Sequence, residues 1–139
     1  MNPSHQSELL NTVLQFHDSE VSCVESVKGD VHVSFSAAHV QRSHGTPGRD
    51  VSHGYAQAVE LCLYQAAWSG ILNECVGSLS EGELKVDGCA IKRVPLPFQN
   101  TGVVTLQLQF SNGAWLSATG TSVDVFQSGQ PQFVENFAC

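Results

Sequence analysis

His39, His44 and His53, with Asp50 between the last two, place three imidazoles and a carboxylate within fifteen residues. Neutral imidazole and carboxylate are the ligand types that hold zinc or another divalent ion, and three of them plus a water make an open site able to assist hydrolysis or elimination. The spacing follows no rigid signature. His44 and His53 lack the one-turn separation of H-E-x-x-H, and Gly45, Pro47 and Gly48 lie between them. Exposed loop histidines are the simpler reading, so no metal or cofactor is assigned. Arg42 and Arg49 offer a second chemistry, because planar guanidinium forks match a carboxylate or phosphate and the amides near Gly45 and Gly48 would add donors. The glycines do not follow P-loop spacing; the structural alternative is an ion pair with Asp50 or Asp18 that pins the segment. His17-Asp18-Ser19 holds the three residue types of a hydrolase triad. Adjacent residues point in different directions, so local roles are simpler: Asp or Ser oxygen on backbone amides, and His17 over nearby carbonyls. Tyr55 would add an aromatic wall. The candidate ligand-binding set is therefore His17, Asp18, His39, Arg42, Arg49, Asp50, His53 and Tyr55, and no catalytic residue is assigned.

The elements that must position these residues read mainly as strands. Val103, Leu106, Leu108 and Phe110 alternate with Thr105, Gln107 and Gln109, and Asn112-Gly113 follows, a pair suited to a two-residue hairpin turn. Trp115, Leu116 and Ala118 climb back, and Ser122 to Phe126 alternates again, so residues 101–126 predict an antiparallel meander with one wet face. A second hairpin is predicted around Lys28-Gly29-Asp30, with Val31, Val33, Phe35 and Ala37 on one face. Residues 3–16 predict a helix, with Pro3 in its first turn and Leu9, Leu10, Val13 and Leu14 as a stripe. Residues 40–54 read as a long loop of the kind that carries function. Residues 55–69 carry conflicting signals, helical in propensity and alternating at Val59, Leu61 and Leu63. Pro95 and Pro97 bracket an extended stretch excluded from a sheet centre. Trp68 and Trp115 read as core anchors before stacking platforms.

The 139 residues are expected to form a single domain, large enough for its own core. A formal net charge of −7 argues against nucleic acid or an anionic membrane as the main partner, and cationic or neutral partners fit better. Five cysteines without a C-x-x-C pair suggest reduced thiols, with Cys23 and Cys62 packed inside strands. No basic leader precedes an apolar run and no apolar stretch approaches the ~20 residues of a membrane span, so a cytoplasmic protein is expected.

Several strings together resemble a family of small all-β bacterial proteins that has no established activity. They are Phe16-His17-Asp18-Ser19, His39-Val40-Gln41-Arg42-Ser43 leading into Gly45-Thr46-Pro47-Gly48-Arg49-Asp50, and Gly54-Tyr55-Ala56-Gln57. Val94-Pro95-Leu96-Pro97-Phe98 and Phe133-Val134-Glu135-Asn136-Phe137 complete the pattern. The chain departs from it at Tyr55, where a tryptophan is expected, and at Gln41. It is similar, more loosely, to short β-rich proteins of mobile gene cassettes, or integrons. The resemblance implies an all-β domain and tips residues 55–69 toward strand; it implies no catalytic residue.

The expected fold is thus all-β, a mainly antiparallel sandwich or partly open barrel with one N-terminal α-helix. The expected function is a non-enzymatic domain that binds a small molecule or protein partner, with homo-oligomers possible through sheet edges. The alternatives are a small metal-assisted hydrolase or lyase built on the 39–53 histidines, and an immunity or antitoxin-like binder of a basic partner.

Overall fold

The computed structural model describes residues 10–44, 52–130 and 132–137, and the side chains of residues 12–42 and 54–130. Its strands are β1 (Leu10–Val27), β2 (Asp30–His44), β3 (Ser52–Tyr64), β4 (Ala67–Gly70), β5 (Gly77–Val86), β6 (Cys89–Ile91), β7 (Val94–Pro95), β8 (Phe98–Phe110), β9 (Trp115–Gln127) and β10 (Gln132–Phe137). The one helical piece among the described residues is a 3-10 turn at Leu72–Glu74. Two meanders, β1-β2-β3 and β5-β8-β9, join edge to edge through β3–β9 and β1–β5 pairs, which closes a six-stranded antiparallel barrel. Closure explains the alternation: Val31, Val33 and Phe35 of β2 and Leu106, Leu108 and Phe110 of β8 are buried. The residues between them stay wet or half-wet.

The turns follow backbone chemistry. Lys28 (φ 52) and Gly29 (φ 86) form the β1–β2 hairpin turn, and Asp87 (φ 50) and Gly88 (φ 83) form the β5–β6 turn, both with two positive φ values in succession. The β8–β9 connection differs from the two-residue turn that Asn112-Gly113 predicts. Phe110 N–H donates to the Ala114 carbonyl at 2.9 Å, and the Asn112 side-chain oxygen accepts from Ala114 N–H at 2.8 Å. The amide thus closes a longer loop from inside.

The predicted N-terminal helix is not formed over the described residues. Leu10–Gln15 pair residue by residue with His44–His39. Leu14 and Phe16 are both buried, so a two-residue period that uses Phe16 wins over the helical stripe, and pairing outweighs propensity. Residues 3–9 lie outside the described residues. Of the predicted loop of residues 40–54, residues 40–44 and 52–54 are paired strand, and 45–51 lie outside the described residues. Residues 55–69 resolve as strand. β3 runs along β9 to Ser122, a break at Gln65 (φ 49) follows, and β4 continues along the same partner from Thr119 to Leu116. Among the described residues no helix is long and apolar enough to cross a membrane.

Cysteine placement differs from expectation. Cys23 is exposed and Cys62 half-buried, because both occupy outward positions of their strands; the buried thiol is Cys75, just after the 3-10 turn. Cys139 lies outside the described residues.

Candidate functional site

Strand β1 is too long to run straight around the barrel, and it bends where chemistry-bearing residues sit. Gln15 pairs with His39 and Glu20 with Ala37, so Phe16, His17, Asp18 and Ser19 stand opposite Ala38 alone. β2 shifts against β3 at the same level, between Phe35 and Ala38. Such bulges re-aim side chains and bend a sheet. Asp18 takes φ 69, a left-handed conformation that costs a non-glycine residue about 1–2 kcal/mol. Ser19 pins the bend. Its fully buried hydroxyl donates to the Gln15 carbonyl at 2.6 Å and accepts from the His39 N–H at 2.8 Å. The sequence reading of a hydroxyl on a backbone amide therefore applies to Ser19, at a bulge and not beside a helix. Ser19→Ala removes both bonds of a buried hydroxyl, so denaturant titration should show a loss of about 1–3 kcal/mol. A loss below a few tenths would show that the hydroxyl does not hold the bend.

The bulge separates two clefts. On one side Asp18, Glu20, His39 and Tyr55, with Ala37, Ala38, Ala56 and Ser78, line a hollow of about 270 Å³. On the other, a cleft of about 570 Å³ takes His17 and Gln15 from β1, Glu81 and Glu83 from β5, and Lys92 and Arg93 from the β6–β7 link. It exists because β1 and β5 pair only at Glu20–Ser78 and Val21–Gly77 and then diverge. Beyond that point β6 pairs with β5, and β7 pairs with β1. Phe16 seals the gap between the diverging strands from below, against Gly82. His17 Nδ1 lies 3.2 Å from Asp18 Oδ2, but both side chains are largely exposed and the pair adds little to stability.

Arg42 and Tyr55 meet on adjacent strands. The guanidinium carbon sits 5.2 Å from the ring centroid, a cation–π contact, and the buried Nε has no hydrogen-bond partner among the described residues. No carboxylate among the described residues forms an ion pair with Arg42, so Arg42 does not make the pinning pair with Asp18. Arg49 and Asp50 lie outside the described residues. His53 is described by its backbone alone, which pairs with Arg42. Because strand positions alternate, His39 and Arg42, three apart, occupy opposite faces. Among the described residues no three His, Cys, Asp or Glu side chains gather as metal ligands.

The barrel wall carries a constellation that sequence spacing conceals. In register across β2, β3 and β9 stand His32, Cys62 and Asp124, the residue types of a cysteine nucleophile with its base. The electrostatics oppose that role. Burial pushes the Cys62 thiol up and the carboxylates of Asp124, Glu60 and Asp30 push it further, while the hydrogen bond with Tyr64 offsets only part of this. A thiol held protonated is a poor nucleophile. The same burial raises Tyr64 and Cys75. All three groups are acids whose folded pKa lies above the ordinary value, so their contribution is present below that value and is lost as pH rises. Stability should fall above pH 9.0, the ordinary thiol value. The urea midpoint at pH 7 and pH 10 checks this, and a Cys62→Ser, Cys75→Ala variant should lose less.

Sequence reading also missed the walls of the larger cleft, Glu81, Glu83, Lys92 and Arg93, which come from segments ten residues apart. Trp68 and Trp115, expected in the core, are 41% and 49% exposed. Compared with family models, curated proteins and solved structures, the chain matches none.

Proposed function

We propose that this chain is a binding domain that seats a small cationic or neutral polar ligand in the hollow lined by Asp18, Glu20, His39 and Tyr55. One observation carries the reading: Asp18, on strained backbone, lines the same hollow as Glu20 and His39, at a bend fixed by a buried serine. A strained residue that persists in an otherwise regular strand is a mark of function. The closed barrel supplies the rigid frame, and the two carboxylates set the preference for positive charge. The volume of about 270 Å³ limits the ligand to a small molecule. No proton transfer or covalent step is part of this reading.

Thermal melts against a panel of small amines, guanidinium compounds, neutral sugars and carboxylates test it. A cationic or neutral compound should raise the melting temperature of the wild type and not of Asp18→Gly. That variant keeps or gains stability, because glycine accepts φ 69 without cost. Stabilisation by carboxylates alone, or a shift undiminished in Asp18→Gly, would contradict the assignment.

A second reading has its own observation. Glu25, His32, Cys62 and Asp124 lie in one register across β1, β2, β3 and β9, with Glu60 and Asp30 close enough to act on the thiol. This acidic stretch of wall fits a basic protein partner, and binding to it would weaken steeply with added salt.

A further inference from the structure

We propose that the free edge of β4 pairs, in antiparallel register, with β4 of a second copy of this chain, so that one sheet runs through two barrels. Among the described residues β4 pairs with β9 alone, and its other edge is open. An open edge presents a row of backbone donors and acceptors, and natural proteins guard such rows with charges or prolines. β4 has neither; its residues are Ala67, Trp68, Ser69 and Gly70. Gly70, at φ 123, fits β4 closely onto β9, because an added Cβ would run into the Trp115 carbonyl. Beyond the last pair, Gly70 with Leu116, the next residues of the two chains, Ile71 and Trp115, are 62% and 49% exposed. Trp68 shares the register of Ala118, on the opposite face, and is 41% exposed. Large apolar groups thus flank the edge on both sides, as they do at the centre of an interface.

Charge selects a second copy as the occupant. Two chains of net charge −7 repel, so they meet at low cost only where neither carries charge. Residues 65–73 and 114–123, which make up β4, its flanks and the facing part of β9, contain no Asp, Glu, Lys or Arg. The acidic row of Glu25 and Asp124 belongs to other strands or to the far end of β9. An antiparallel edge is also self-complementary under a two-fold axis, the commonest symmetry of soluble dimers.

Sedimentation velocity over a range of concentrations tests the proposal, with Trp68→Lys and Ile71→Lys as edge variants. Val103→Lys, at an exposed position of β8 away from the edge, is the control. Circular dichroism establishes that each variant is folded; Ile71→Lys serves if Trp68→Lys is not. The expected result is a wild-type dimer of twice the chain mass, a dimeric Val103→Lys, and monomeric edge variants. A wild type that stays monomeric at every concentration overturns the proposal and leaves the edge to a strand of another protein. A dimer that survives both edge substitutions, or that Val103→Lys also dissolves, overturns it as well.

Discussion

Replacing Phe16 by alanine should remove about 3–5 kcal/mol of stability, a large part of the 5–15 kcal/mol typical of a domain. Phe16 is 2% exposed and lies where β1 and β5 separate, so its ring fills the space that a continuous ladder would otherwise close. It packs on Phe35 at a centroid distance of 6.3 Å and an interplanar angle of 40°. Its Cβ and Cγ also lie against Gly82 of β5. Truncation therefore costs ring burial and opens a path from the larger cleft into the core. Urea titration at neutral pH measures the loss, and dye binding should report the opened core. A loss below about 1 kcal/mol would mean that the ring is not the seal described here.

The second large effect has the opposite sign to the usual rule. Glycine inside a strand is ordinarily less stable than alanine by about 0.5–1 kcal/mol. At position 82 an added Cβ would lie 2.5 Å from Phe16 Cβ, 2.7 Å from its Cγ and 3.1 Å from Leu108 Cδ2. The Phe16 Cβ is fixed to backbone that the β1 bulge already constrains, so neither strand can retreat cheaply. Gly82→Ala should destabilise by about 3 kcal/mol, the upper end of the range for overpacking. A neutral or stabilising result in the same titration would show that β1 and β5 do not approach as described.

Much of the fold was legible because closure of a barrel enforces strict alternation. Val31, Val33 and Phe35, and Leu106, Leu108 and Phe110, read as inner faces and are buried, whereas Ala37 and Val103, read with them, are half-buried and exposed. The glycine turn at Lys28-Gly29 was equally readable, since a positive φ is a local demand. Residues 10–16 were not. Leu10, Val13 and Leu14 suit either period, and only the pairing with β2 decides between them. The bulge was hidden for the same reason, because a chain shows residue types but not that Phe16 to Ser19 stand opposite a single residue.

The site was legible in its residue types and illegible in its grouping. Asp18, His39 and Tyr55 were candidates, and they line one hollow; His17, next in the chain to Asp18, lines the other cleft. The register of β2 separates His39 from the face of Arg42, a division that loop-like spacing could not reveal. Glu20 was overlooked because nothing in the sequence marks it; its place comes from pairing with both Ala37 and Ser78 at the bend. Trp68 was misread through composition, since a tryptophan on an edge strand has no second strand to cover it.

That the bend in β1 builds a cation-preferring binding hollow can be checked by amide chemical-shift mapping of isotope-labelled protein titrated with small amines and guanidinium compounds. The predicted result is saturable shifts confined to residues 18–20, 37–39, 55–56 and 78, which are lost in Glu20→Gln. Shifts that gather elsewhere on the barrel, or none with any of these cations, would contradict it.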